Sequence, residues 1–367
     1  MYNEKKNIID ILNKSDLSKT DIIALLSITD KPSLKLLQEK ALEVTKQYVG
    51  NKIFLRGLIE FSNYCINDCF YCGIRKSNNS YKRYFLTKDE ISQSAKWIAD
   101  NNYGSIVLQS GERRDDEFIN FLIDVIKSIK NDTKSDKLPY GLGITLCVGE
   151  ESYDTYKAFY EAGAHRYLLR IETTNRELFS KIHPPEVSYS NRLDCLRFLK
   201  SIGYQTGTGV MIGLPGQTID DLANDILFFK DFDIDMIGMG PYIPSKNTPM
   251  GHCSVNLENS FLLSLKMIAV CRIILKDVNI ASTTALQAIT PFGRESGLNF
   301  GANVFMPLVT PAYVRSQYQL YDGKPCIDDS TEECLDCSIN RIISTGREIG
   351  FNEWGDSKHF YERKVKL

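Results

Sequence analysis

From residue 53 onward the chain alternates between strand-like and helix-like segments, and this alternation restricts the fold more than any other feature. The segments 53–61, 105–110, 140–147, 166–172, 207–214, 235–241, 279–285 and 303–309 read as strands. Amphipathic stretches separate them, among them 88–100, 115–129, 151–162, 191–202 and 220–229. Eight strands alternating with helices predict an α/β chain folded as a (βα)8 TIM-type barrel. A doubly wound open sheet has the same local pattern, and only the strand count favours closure. Residues 1–50 carry helical periodicity instead, with Ile8, Ile9, Ile11 and Leu12 on one face and further helices over 17–28 and 32–49. The expected organisation is an N-terminal helical extension, 1–50, and a barrel, 51–367, that includes a C-terminal cysteine segment.

Side chains alternate along a strand, so residues two apart share a face. In the fourth segment Arg166, Leu168, Arg170 and Glu172 share one face, while Tyr167, Leu169 and Ile171 suit packing against helices. In the first, Arg56, Leu58 and Glu60 oppose Ile53, Leu55, Ile59 and Phe61. The same logic joins Gln109 with Gly111, and Thr145 with Cys147. If the apolar faces meet the helices, the lumen is lined by Arg56, Gln109, Thr145, Arg166 and Arg170. Buried guanidinium groups need partners. Either the lumen is a polar cavity that accepts an anion, which the excess of arginines over acids favours, or Glu60 and Glu172 pair these arginines internally.

At 367 residues, 43% hydrophobic and 25% charged, the chain suits a globular protein with a sizeable core. A formal net charge of −2 gives no reason to expect nucleic acid or an anionic membrane surface as a partner. The most apolar helix candidate, 261–275, is broken by Lys266 and Arg272, so no membrane span is expected. The first residues lack the apolar core of a signal peptide, and a cytoplasmic protein is expected. Ten cysteines is a high count for a reducing compartment, which disfavours disulfides. Six of them fall in two tight clusters, Cys65/Cys69/Cys72 and Cys326/Cys334/Cys337, a pattern of metal binding. Cys147, Cys195, Cys253 and Cys271 are scattered and read as buried free thiols. His165, His183, His252 and His359 are also scattered, and surface or turn positions are expected for them.

The first cluster, Cys65-Ile-Asn-Asp-Cys69-Phe-Tyr-Cys72, has C-x3-C-x2-C spacing and follows the first strand directly, at the barrel end where active sites form. Three thiolates can hold three irons of a [4Fe–4S] cube and leave the fourth open. A zinc site would need a fourth ligand nearby, and no histidine lies between residues 1 and 164. The pattern resembles the radical S-adenosylmethionine (SAM) superfamily. In that family SAM chelates the open iron, and one electron cleaves a C–S bond to yield a 5′-deoxyadenosyl radical. The resemblance implies that Tyr71 lies by the adenine and that Ser110, Gly111 and Glu112 form the short segment that binds the SAM amino group. It further implies that Glu172 contacts SAM, that Arg192 pairs with its carboxylate, and that the strand carrying Met211, within Gly209-Val-Met-Ile-Gly-Leu-Pro-Gly216, lies along the adenine.

The second cluster, Cys326-x7-Cys334-x2-Cys337, can hold a second iron–sulfur cluster, [2Fe–2S] or [4Fe–4S], or a structural zinc. Both cysteine sets together resemble the HydE family of [FeFe]-hydrogenase maturases. So do Arg166-Tyr-Leu-Leu-Arg-Ile-Glu, Gly240-Pro-Tyr-Ile-Pro, Gly301-Ala-Asn-Val-Phe-Met-Pro and Gln317-Tyr-Gln-Leu-Tyr-Asp-Gly-Lys. Biotin synthase and methylornithine synthase share the barrel and are the nearest alternatives, acting on an amino-acid-derived metabolite; a non-enzymatic iron–sulfur scaffold is the third reading. The resemblance implies a small organometallic substrate, a cysteine-bound iron carbonyl–cyanide complex, on the way to the diiron site of the hydrogenase. It implies other maturases and a one-electron reductant as partners. It implies that Arg56, Gln109, Thr145, Arg166, Arg170, Thr283, Thr284, Met306, Tyr318 and Tyr321 line the substrate cavity. No catalytic acid–base pair stands out, and homolysis requires none.

Overall fold

A computed structural model describes residues 2–366. Eight parallel strands close a barrel: Lys52–Ser62, Ser105–Ser110, Gly143–Cys147, Arg166–Leu168, Gln205–Thr208, Met236–Ile237, Asn279–Ser282 and Val304–Phe305. Closure runs through Phe54 opposite Val304 and Leu55 opposite Phe305. Right-handed βα crossovers place the helices outside. Those helices start where the sequence supplies a cap. Thr87 with Glu90 and Thr218 with Asp221 form capping boxes, and Asp115, Ser152, Ser188 and Asn256 each accept from a first-turn amide. Their buried faces, for example Phe118, Leu122, Val125 and Ile129, meet the outward faces of the strands.

The N-terminal helices Lys19–Leu26 and Lys31–Val44 pack against the long helix Leu257–Leu275. Lys266 reaches from that helix to the carbonyls of Leu26 (2.5 Å) and Ile28 (3.0 Å), groups that a helix end otherwise leaves unsatisfied.

Six strands are shorter than their sequence pattern or interrupted. The third begins only at Gly143, and the fifth and sixth break after Thr208 and Ile237, their upper parts pairing separately as Met211–Ile212 and Gly240–Pro241. The fourth pairs only over Arg166–Leu168 and resumes as a single bridge at Glu172, whose φ of 66° turns the chain. The seventh ends at Ser282, and Thr284–Ile289 is helical, so Ala285 is not in a strand. The eighth pairs at Val304–Phe305 and again at Leu308; Pro307 has no amide to donate between them.

The floor of the barrel is filled by the chain's own C-terminal region. The Gly355 carbonyl accepts from Arg56 Nη2 (3.0 Å) and Asn279 Nδ2 (2.8 Å), and the Trp354 carbonyl accepts from Ser105 Oγ (2.6 Å) and Arg166 Nη1 (2.8 Å). Arg166 is wholly buried; it also donates to Thr145 Oγ1 (2.9 Å) and Ser105 Oγ (2.7 Å), and pairs with Asp356 at 2.6 Å. Burial opposes the charge of Asp356, but Arg166 and His165 hold its carboxyl well below the usual range. Burial and Arg166 push His165 down to about 4, so it stays neutral beside this pair. Removing one partner of a buried pair leaves an uncompensated charge. Asp356→Ala should therefore lower unfolding free energy by about 3–5 kcal/mol in denaturant titrations, and Arg166→Met in the same chain should restore part of the loss.

Candidate active site

The cysteine loop leaves the first strand at Ser62 and is held by hydrogen bonds from groups other than its sulfurs. Asn63 donates to the carbonyls of Lys82 (2.9 Å) and Gln317 (2.8 Å). Arg83 donates to the carbonyls of Asn63, Ile74, Arg75 and Asn78. The Ile66 amide donates to the Glu112 carbonyl (2.9 Å), and the Gly73 amide to that of Leu320 (2.9 Å). Two glycines permit these approaches: a Cβ at Gly73 would lie 2.0 Å from the Gln319 oxygen, and one at Gly111 would lie 2.2 Å from the Tyr64 oxygen and 2.8 Å from Cys65 Cβ.

The loop roofs a cavity of about 310 Å3 at the C-terminal ends of the strands, where barrel sites are built. Cys65, Cys69 and Cys72 all line it. So do Tyr71, Ser110, Gly111 and Glu112 on the near loops, and Glu172, Arg192 and Met211 on the following ones. Gln109, Arg170, Thr283, Thr284, Met306, Tyr318 and Tyr321 complete the wall. Thr283 and Thr284 both reach it because the strand has ended and a helix begins at Thr284. Tyr318 and Tyr321 lie past the helix Ala312–Arg315, on the irregular segment that crosses the mouth. There Tyr318 Oη accepts from Gln109 Nε2 (3.2 Å) and Tyr321 Oη meets Thr284 Oγ1 (3.0 Å).

Three residues expected in this cavity lie elsewhere. Arg56, Thr145 and Arg166 sit on the lower halves of their strands, where the Trp354–Ser357 segment takes up their hydrogen bonds. Arg56 and Thr145 border only a small void of about 30 Å3. The charges that do reach the cavity are paired: Arg170 Nη2 lies 3.0 Å from Glu172, and Lys324 Nζ lies 2.5 Å from Glu60. Internal pairing thus accounts for most of the buried charge, and the free polar groups of the wall are hydroxyls, an amide and one edge of the Arg192 guanidinium.

Burial raises all three thiols, Cys72 to about 12; Cys65 and Cys72 add to the rise at Cys69, and Cys65 adds to that at Cys72. They gain charge only with a cationic partner such as iron. Among the described residues no three His, Cys, Asp or Glu side chains converge on one point; thiolates bound to three separate irons of a cube need no such convergence. The donor set, the Gly111 approach and the open cavity beside the loop fit a [4Fe–4S] cluster with a free coordination site.

Several site residues escaped the sequence pattern. His183 is buried, not at the surface: its Nδ1 donates to the Phe179 carbonyl (3.0 Å), which leaves Nε2 to accept from Tyr71 Oη (3.3 Å). Burial and Arg192 push its pKa down to about 3, so it remains a neutral acceptor. Cys147 lines the cavity, as its face of the third strand dictates. Arg83, Arg114, Glu150 and Lys324 act through long-range contacts that no local spacing reveals.

The C-terminal cysteines lie behind the wall. Cys334 and Cys326 pack with Leu58 and Met306, which also face the cavity. A hydrogen bond from the Cys326 thiol lowers Cys334. Cys337 is exposed and accepts from Arg341 Nε (3.1 Å).

A sequence model of the radical SAM superfamily matches residues 59–229. The [FeFe] hydrogenase maturase subunit HydE of Thermotoga maritima is 42% identical, over 97% of this chain and 99% of its own length. The 3-methylornithine synthase of Methanosarcina acetivorans is 30% identical over 80% of each chain. Among solved structures, methylornithine synthase (PylB) superposes with a TM-score of 0.79 at 24% identity, covering 98% of this chain and 99% of the other. The maturase HydG of Carboxydothermus hydrogenoformans gives 0.79 at 21%, covering 98% of this chain and 82% of its own; these two likenesses carry the barrel fold. A closed (βα)8 barrel whose first strand runs into C-x3-C-x2-C at the mouth of a cavity defines a radical SAM enzyme, with a [4Fe–4S] cluster and SAM as its cofactors. The chain belongs to the HydE family, and its radical chemistry serves hydrogenase maturation.

Gly111→Ala would drive a methyl group into Tyr64 and Cys65. Displacements near 1 Å in a reacting site cost about 100-fold. The variant should retain its circular dichroism spectrum while SAM cleavage falls by that order.

Proposed function

We propose that this chain acts on a cysteine-ligated iron carbonyl–cyanide precursor of the hydrogenase diiron site. The observation that carries the reading is the single cavity that joins the Cys65/Cys69/Cys72 loop to a wall of neutral donors, in a chain 42% identical to a HydE protein. In this reading Cys65, Cys69 and Cys72 hold the cluster. A cluster bound there would supply the one-electron reduction that breaks a C–S bond of SAM, with methionine as the leaving group. Tyr71, oriented by His183, packs against the adenine with Met211. Ser110, Gly111 and Glu112 offer backbone groups to the SAM amino group, Glu172 contacts SAM, and Arg192 takes its carboxylate. Thr283, Thr284 and Tyr321 donate to cyanide nitrogen or cysteine carboxylate, with Gln109, Tyr318 and Arg170 beside them. Met306 supplies an adaptable apolar contact.

Neutral donors suit such a ligand. A cyanide nitrogen is a good acceptor, and hydroxyls bind it without the desolvation that a further buried cation would cost. The C-terminal trio, Cys326, Cys334 and Cys337, is assigned an accessory second iron–sulfur cluster. Other maturases and a one-electron reductant are the partners. No described helix is long and apolar enough to cross a membrane.

The test is anaerobic reconstitution with reductant, SAM and either the synthetic iron precursor or ornithine- and lysine-type amino acids. Precursor-dependent 5′-deoxyadenosine formation, and hydrogenase activation in a reconstituted maturation mixture, is the expected result. Turnover with an amino acid alone would overturn it. Cys69→Ala should abolish 5′-deoxyadenosine. Loss of one neutral hydrogen bond is worth about 1 kcal/mol, so Thr284→Val should raise KM for the precursor roughly five- to tenfold with precursor-free SAM cleavage unchanged.

A further inference from the structure

Arg192 is buried, and its guanidinium is held at two nitrogens. Nε donates to Glu150 Oε1, and Nη1 donates to the Arg170 carbonyl at 2.5 Å. Among the described residues Nη2 has no protein acceptor, and the residue lines the cavity. The group that fixes this orientation, Glu150, is itself 3% exposed and comes from a different loop, after the third strand. Its other oxygen accepts from Asn191 Nδ2 (2.5 Å) and Arg114 Nη2 (3.2 Å). Arg114 also donates to Glu112 Oε1, and Glu112 Oε2 accepts from the Glu150 amide at 3.0 Å. The circuit closes: two carboxylates and two guanidinium groups alternate, and their charges sum to zero. A Cβ at Gly149, where φ is 96°, would lie 2.4 Å from Glu112 Oε2, so the backbone leaves room for this arrangement.

We infer that Glu150 is a positioning residue that aims the free edge of Arg192 at the carboxylate of SAM, with Arg114 and Glu112 completing its charge balance. A lone buried carboxylate would be a costly way to hold a helix, whereas one that orients a cation toward an anionic ligand preorganises the site before that ligand arrives. The circuit also links the Ser110–Glu112 segment to the first turn of the helix Tyr189–Ile202, so the groups that take the two ends of the amino acid moiety share one anchor. This rests on the reading of Arg192 given above.

The test uses the reconstituted [4Fe–4S] protein and equilibrium binding of SAM, S-adenosylhomocysteine and methylthioadenosine, which lacks the carboxylate. Glu150→Gln should weaken SAM and S-adenosylhomocysteine at least about tenfold, the size of a lost charge-assisted contact, and leave methylthioadenosine within about twofold. Equal weakening of all three would show a merely structural role and overturn the inference, as would no change in any. Arg192→Lys separates the two layers: if it weakens SAM while Glu150→Gln does not, the positioning role fails alone; if Arg192→Lys leaves SAM affinity unchanged, the carboxylate reading of Arg192 fails. Should Glu150→Gln not load iron, Arg114→Met decides the matter. Its side chain is 46% exposed, so the fold tolerates the change, and the same ligand selectivity, about threefold, is expected. An unselective or absent effect there overturns the inference.

Discussion

A guanidinium group cannot be buried alone, and the lower half of the barrel follows from that rule at Arg166. Its donors are met by Thr145 and Ser105 from neighbouring strands, and by Trp354 and Asp356 from a segment some 190 residues further along the chain. The floor is thus a polar plug rather than the apolar layers of many barrels. It takes up Arg56, Thr145 and Arg166, the lower inward polar groups of the first, third and fourth strands. What is left open is the upper half, where Cys65, Cys69 and Cys72 meet the cavity. The position of the site is therefore a consequence of how the chain's own end satisfies a buried cation.

The upper half obeys a second constraint. Each of these charges in the upper half arrives with a counter-charge: Glu60 with Lys324 and Arg192 with Glu150 from other elements, Glu172 with Arg170 from its own segment. The cavity interior is close to neutral in consequence. Selectivity then depends on where hydroxyl, amide and thiol groups point, not on bulk attraction of an anion.

Alternation of side chains made much of this legible. The first two strands lie where their patterns place them, and Arg56, Thr145 and Arg166 do face inward. Height along the axis was not legible, because it depends on a tail that returns from the far end of the chain. The fourth and eighth strands read too long for local reasons: Glu172 turns with positive φ, and Pro307 removes a donor. C-x3-C-x2-C stands out because one loop must carry every ligand. Glu150, Arg114 and His183 carry no such signature; each is an ordinary residue made important by a partner dozens of positions away.

The cysteine loop is ordered by Asn63, Arg83, Gly73 and Glu112, none of which is a sulfur ligand. Small metal domains commonly fold only when the metal arrives, so that the conformational entropy of the ligand loop is deducted from metal affinity. Here Asn63, Arg83, Gly73 and Glu112 tie the ligand loop to the strands and loops around it, so part of that entropy is offset by contacts that involve no sulfur.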